Sequence, residues 1–358
     1  MTDSPVVVIA VGVDDDALDT CLAALDRSTP AGTPVWLADD AQAGPRGRAL
    51  IERWRTRTRL QADYTRRQRS VGEVAHLDEV LTACGDADVA VLAADAVVTP
   101  GWLAHLQRTL DDDRAIATVT PWCNAGEAAA WPTAGRIAPI PDDLERLARA
   151  AAGMPRSAPE LPAAVGHAVL LRGAARRRAG GLDATGFASW YAALTDLSLR
   201  LSGLGWRNVL CERSFVARRG EGGPRDGDMD ALAARWPGWH ARIAGFLMRD
   251  PLLANREALT RHLADAAETT PQADLFAGAA PVSGDDVGAA PGPCRDAPRA
   301  GRSDLEAPPR VAALDHATTA PMPRSPANAT VREVAGRQAW EPPAPDEATD
   351  ALEFDARA

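Results

Sequence analysis

The feature that most constrains this chain is an alternation of strand-like and helix-like segments over residues 1–225. It opens on residues 5–13, PVVVIAVGV, a nearly unbroken apolar run rich in valine. A half-buried strand alternates polar and apolar residues, whereas an unbroken run suits a parallel strand covered on both faces. Asp14, Asp15 and Asp16 then offer N-cap carboxylates for a helix over residues 18–25. Further strands are expected at residues 33–38, 88–92, 116–121, 168–172, 208–211 and 215–217. Helices are expected at 48–60, 72–83, 100–110 and 195–204, the third with Pro100 in its first turn. The order predicts an α/β fold with a mostly parallel sheet flanked by helices. Residues 229–268 read as two helices broken at Pro251, with Trp236, Trp239, Ile243 and Phe246 on an inward face.

Beyond that point the pattern changes. Residues 271–358 hold thirteen prolines, fourteen Asp/Glu and eight Arg, with little hydrophobic periodicity. Such a stretch buries too little apolar area to offset chain ordering, so a disordered acidic tail is expected over residues 269–358. It reads either as a passive extension or as an arm that docks a partner through Trp340 or Leu352 and Phe354. The expected division is a domain over 1–226, a helical extension over 227–268 and the tail. At roughly 150 residues per domain, 358 residues suit one large domain or two small ones. No apolar run approaches the ~20 residues that span a bilayer. The N-terminus lacks a basic secretory n-region. The expected location is the cytoplasm, with the inner face of the membrane as a peripheral site. A net charge of -10 argues against a general nucleic-acid binder. Five scattered cysteines without a CxxC exclude a disulfide framework or zinc cluster from the expectation.

In open α/β sheets ligands sit at the carboxyl ends of strands. Asp39, Asp40 and Asp95 fall at such ends. A carboxylate there can accept bonds from a base or ribose, or hold a divalent cation against a diphosphate. It can equally cap the next turn. Residues 46–69 carry nine arginines against Glu52 and Asp63, which reads as a polyanion surface or as a solvated helix face. The runs Asp14–Asp16 and Asp111–Asp113 read as solvated helix ends. No Gly-x-Ser-x-Gly elbow, P-loop or H-E-x-x-H is present. His167, just before a strand, reads as a structural residue or as one near a cleft.

Several stretches, in order, resemble family 2 glycosyltransferases of the GT-A fold over roughly residues 5–250. VVVIAVGVDDDALDTCLAAL resembles the family's first strand and helix, and VWLADD its second strand with the Asp pair. RSVGEVAHLDEVL is similar to N-L-G-x-x-x-x-x-N, with Asp78 where Asn is usual. VAVLAADAVVTPGWLAHL resembles the metal-site strand and the helix that begins T-P-G-W-L. GHAVLLRGAARRRAGGLD is similar to the acceptor-side strand and G-G-F-D turn. TDLSLRLSGLGWRNVLCERSFVARRG resembles the late helix and strand. RWPGWHARIAGFLMRDPLLANR is similar to a segment of members that build bacterial surface polysaccharide.

The resemblance implies sugar transfer from a nucleotide-sugar donor to a glycan or lipid-linked acceptor, usually with Mg²⁺ or Mn²⁺ and inversion at the anomeric carbon. By position it assigns Asp39, with Asp40 and Asp78 beside it, to the nucleotide, Asp95 to metal or ribose, and Trp190 and Tyr191 to the acceptor. Departures are equally specific. The metal motif's first acid is Ala93, the acidic pair with the general base falls on Ala193 and Leu194, and the late metal-binding His falls on Arg218. Two readings follow. One is an enzyme in which Arg218 and Arg219 replace the cation and Asp196 or Asp183 serves as base. The other is a degenerate domain that binds nucleotide-sugar or scaffolds polysaccharide assembly proteins through its tail.

Overall fold

Asp14 caps the first helix as its sequence predicts, its Oδ1 accepting from the N–H groups of Asp16 at 3.0 Å and Ala17 at 2.9 Å. That helix, α1 (Asp15–Ser28), follows β1 (Val6–Ala10) in a computed structural model that describes residues 4–220 and 222–268. The tail expected over residues 269–358 lies outside the described residues. Next come β2 (Pro34–Asp39), α2 (Pro45–Arg55), β3 (Gln61–Arg66), α3 (Glu73–Ala83), β4 (Val89–Ala93), β5 (Ala96–Val98), α4 (Trp102–Asp112) and β6 (Ile116–Trp122). They are followed by α5 (Leu144–Ala152), β7 (Ala168–Leu171), α6 (Gly173–Ala179), α7 (Trp190–Gly203), β8 (Arg207–Arg218), α8 (Asp228–Arg235), α9 (Trp239–Arg249) and α10 (Leu253–Glu268).

The strands form one sheet in the order β3-β2-β1-β4-β7-β6-β8-β5. β3, β2, β1 and β4 run parallel. β7 is antiparallel to both its neighbours, β8 is parallel to β6, and β5 returns antiparallel on β8. The sheet is therefore mixed. The unbroken apolar strands are covered on both faces. Val7 and Ile9 of β1 pack with Leu22, Ile51, Trp102 and Leu106 on one side, while Val8 packs with Leu77, Leu81 and Leu197 on the other. β4 divides likewise, Ala90 and Leu92 against Val89 and Val91. Fully burying a side chain of this size contributes about 1.5–3 kcal/mol.

Four expectations are corrected. The helix expected over 48–60 stops at Arg55, and residues 61–66 form β3. Its end is drawn down by Asp26, which accepts from Trp54 Nε1 at 2.9 Å and from Thr58 Oγ1 at 2.5 Å. The two short strands at 208–211 and 215–217 are one strand, β8, with a register shift opposite Pro121 and Trp122. The helix expected from residue 195 begins five residues earlier, because Ser189 Oγ accepts the Ala192 N–H at 3.2 Å. Residues 229–268 make three helices, broken at Pro237 as well as Pro251. These pack on the sheet layers: Arg256 donates to Ala130 O at 2.6 Å and Ala128 O at 2.9 Å, and Arg146 of α5 donates to Leu263 O at 2.7 Å.

One close approach fixes a glycine. A Cβ on Gly173 would lie 2.2 Å from the Asp86 carbonyl oxygen and 2.6 Å from that of Ala87. The backbone cannot retreat freely, since the Gly173 N–H donates to Asp88 Oδ1 at 2.8 Å. Gly173→Ala is expected to destabilise the fold by about 1–3 kcal/mol, the usual cost of overpacking. A denaturant midpoint equal to wild type would contradict this.

Candidate functional site

A cleft of about 630 Å³ opens at the carboxyl ends of β1 and β4. Ala10 and Gly12 floor it from β1, and Ala93, Ala94 and Asp95 from β4. The end of β8 contributes Arg218 and Arg219, the first turn of α7 contributes Trp190 and Tyr191, and the loop after β6 contributes Gly126 and Glu127. Trp239 and Ile243 of α9 also line it, so part of the face expected to point inward meets the cleft.

At its centre Asp95 and Arg218 form a two-pronged pair. Arg218 Nη2 donates to Oδ1 at 3.0 Å and to Oδ2 at 3.1 Å, Nε donates to Oδ2 at 3.2 Å, and the Gly220 N–H adds a bond at 2.6 Å. The side chains are 18% and 13% exposed, so the pair is shielded but reachable from the cleft. The pairing follows from the sheet: β5, just after Asp95, is paired with β8 so that Ala96 faces Arg218. Asn124 locks this corner, accepting from the Arg218 N–H at 2.9 Å and donating to its carbonyl at 3.1 Å. Behind Arg218 lies His167, fully buried and not part of the cleft lining. Burial and then the Arg218 charge hold its pKa down at about 3, so it is neutral. The thiols of Cys21 and Cys123 are pushed up to about 12 by burial and offer no nucleophile.

The donor set does not fit a divalent cation. Asp95 is the acid that the resemblance assigns to a metal or ribose, and Arg218 already pairs with it. Among the described residues no group of three or more His, Cys, Asp or Glu could hold a metal.

Of the residues singled out in the sequence, Asp95, Arg218, Trp190 and Tyr191 line the cleft, and Asp39, Asp40, Asp78 and Asp196 do not. Each of the latter is engaged within the fold. Asp39, fully buried, accepts from the N–H groups of Gln42 and Ala43, from Tyr64 Oη at 2.8 Å, and pairs with Arg66 at 3.4 Å. Asp40 accepts from Ser70 Oγ and from the Val71 and Gly72 N–H groups. Burial acts to raise its pKa, yet these bonds, with His76 nearby, outweigh it and hold the carboxyl below its ordinary value. Asp78 accepts the Leu182 N–H at 2.7 Å. Asp196, fully buried, accepts from Arg200, Arg235 and Trp236. Asp183 pairs with Arg235 at 2.7 Å, also off the cleft. The arginine run at 46–69 is partly consumed by ion pairs: Arg46 with Asp16, Arg55 with Glu52, Arg66 with Asp39 and Arg67 with Glu79.

Two cleft carboxylates escaped the sequence reading, Glu73 and Glu127. Glu73 opens α3, and its Oε2 accepts the Trp190 N–H at 3.3 Å. Glu127 Oε1 accepts from Tyr191 Oη at 2.8 Å. Burial and this carboxylate push the phenol well above its ordinary range.

Comparison with known proteins agrees with the fold. Residues 6–175 match the family described as "Glycosyl transferase family 2". No curated protein matches the chain significantly. Among solved structures, GalNAc-T7 with UDP, GalNAc and Mn²⁺ superposes with a TM-score of 0.50 at 15% identity, over 74% of this chain and 56% of that one. The mannosyltransferase PcManGT of Pyrobaculum calidifontis, with GDP-Man and Mn²⁺, gives 0.46 at 14% identity over 75% and 76%. TarS of S. aureus gives 0.43 at 12% identity over 75% and 44%. The chain thus spans just over half of GalNAc-T7 and less than half of TarS. At such identities the likeness is one of fold. Residues 6–175, just under half of the chain, are thus similar to glycosyl transferase family 2.

Proposed function

We propose that the cleft binds a nucleotide-sugar donor with its diphosphate against Arg218 and Arg219, and passes the sugar to a glycan or lipid-linked acceptor. The observation that carries this reading is the position of the Arg218 guanidinium. It sits in a shielded cleft at the strand ends, on the carboxylate that the resemblance assigns to a metal or ribose. A planar guanidinium presents paired donors to phosphate oxygens and stays charged at any working pH. It can therefore face the negative charge that grows on a departing diphosphate, the task a cation would perform. Trp190 and Tyr191, on the same cleft, offer apolar faces to a sugar ring. Asp39 and Asp40 would meet the nucleotide only by giving up their internal bonds, so the donor reading rests on Asp95, Arg218 and Arg219. A nucleotide diphosphate is the ligand class named for GalNAc-T7. The resemblance of residues 235–256 to builders of surface polysaccharide supports that setting for the acceptor. Among the described residues no helix is long and apolar enough to cross a membrane.

A second reading, a nucleotide-sugar binder without turnover that serves polysaccharide assembly, is favoured by Ala193 and Leu194 at the base positions and by the burial of Asp196. Calorimetry of the full chain with UDP-, GDP- and dTDP-linked sugars tests the shared premise. Binding is expected with at least one, at the same affinity in EDTA as in Mn²⁺. No heat at millimolar ligand would sink the donor reading, and heat that needs Mn²⁺ would sink the cation-free one.

A further inference from the structure

We propose that Glu127 is the general base of the transfer, held in place by Tyr191. This rests on the reading of the cleft as a sugar-transfer site. An acceptor hydroxyl is a weak nucleophile, so a positioned base is required to take its proton as it attacks. Four carboxylates line the cleft: Asp14, Glu73, Asp95 and Glu127. Asp14 is spent on the cap of α1, and Asp95 on Arg218 and the Gly220 N–H. Glu73 receives the Trp190 N–H and lies 3.5 Å from the Arg225 guanidinium. Glu127 faces no cation within ion-pair distance among the described residues. Its one side-chain bond comes from the neutral Tyr191 hydroxyl, on Oε1, so Oε2 is left for a substrate.

The loop around Glu127 is fixed where a base is needed. Asn124, three residues earlier, grips the backbone of Arg218 and the Ala138 carbonyl. The Glu127 carbonyl accepts the Gly135 N–H at 2.9 Å. One clamp therefore ties the carboxylate's loop to the backbone of the residue whose guanidinium would face the leaving group. Tyr191 springs from the first turn of α7, two residues before Ala193, and spans from the turn that lacks the acidic pair to the carboxylate on the loop.

In the proposed step the acceptor O–H proton passes to a Glu127 oxygen. The acceptor oxygen forms its bond to the anomeric carbon as the bond from that carbon to the diphosphate breaks. The electron pair leaves with the diphosphate, facing Arg218 and Arg219, and Glu127 later returns its proton to water. The charged and titratable groups that share the cleft with it are Tyr191 from α7, Glu73 from α3, Asp14, Asp95, Arg218 and Arg219.

The test uses the full chain, with wild type, Glu127→Gln and Tyr191→Phe compared on UDP-, GDP- and dTDP-linked sugars. Calorimetry reads donor affinity, and release of nucleotide diphosphate to water or a simple sugar acceptor reads turnover. Glu127→Gln is expected to keep wild-type donor affinity and thermal midpoint and to release product about 10²–10⁴-fold more slowly. Tyr191→Phe removes the hydrogen bond that holds the carboxylate in place, so kcat falls while donor affinity and thermal midpoint hold. Glu127→Gln turning over like wild type would overturn the proposal. So would loss of donor binding in that variant, or a wild type that binds a donor and releases nothing. A wild type that binds no donor overturns the transfer reading itself, and this proposal with it.

Discussion

Arg218→Ala is expected to weaken donor binding by roughly 10²-fold or more. The estimate follows from two charge-assisted bonds to phosphate, each worth about 1.5–3 kcal/mol, at 1.4 kcal/mol per tenfold. Turnover should fall by a further 10²–10³-fold or so, the usual cost of losing a preorganised group that faces developing charge. Stability should change little. Asp95 keeps its bond from the Gly220 N–H and is partly exposed, so water can take over the lost pairing. The corner itself survives, since Asn124 grips the Arg218 backbone rather than its side chain. Arg218→Lys keeps the charge but loses the planar fork, and should fall between wild type and alanine. Calorimetry with UDP-, GDP- and dTDP-linked sugars reads the affinity. An alanine variant that binds like wild type would remove Arg218 from the site.

The order of the fold was readable because its signals are local. The valine-rich run of β1 suits a doubly covered strand, and Asp14 caps α1 by bonds two and three residues ahead. β3 was missed because Gln61–Arg66 is largely exposed at the sheet edge and carries no buried-strand signature. The site was legible only in part, and the division has one cause. An acid at a strand end looks the same whether it faces a ligand or another loop. Asp40 is answered by Ser70, Val71 and Gly72, some thirty residues later, and Asp39 by Tyr64, twenty-five residues later. Arg218 could be placed beside Asp95 because the resemblance assigns both positions to one site, although 123 residues separate them. Glu127 belongs to no such motif. It lies in an irregular loop, and its partner Tyr191 is 64 residues away, so nothing near it in the chain marks it.

Asp196 gives the sharpest contrast between a catalytic and a structural acid. Asp196→Ala is expected to cost roughly 3 kcal/mol of stability and to leave donor affinity per folded molecule unchanged. The carboxylate is fully buried, with Oδ2 bonded by Arg200 Nε at 2.8 Å and Oδ1 by Trp236 Nε1 at 2.9 Å and Arg235 Nη1 at 3.3 Å. It joins α7 to α8 and, through Arg200, to the Gly181 carbonyl at 2.7 Å. Its removal strands the indole N–H and two guanidinium groups that converge on one point. Breaking a buried ion pair from one side costs about 3–5 kcal/mol. The lower end applies because Arg235 is 41% exposed and also pairs with Asp183, so solvent and a second partner absorb part of the loss. Asp196→Asn keeps an acceptor for Trp236 and should cost less. Denaturant midpoints of the two variants, set beside calorimetry on the folded fraction, decide the matter. If turnover collapsed in Asp196→Asn with the unfolding midpoint unmoved, the acid would have to be reached by substrate despite its burial, and the register of α7 in solution would differ from the one that places Trp190 and Tyr191 on the cleft.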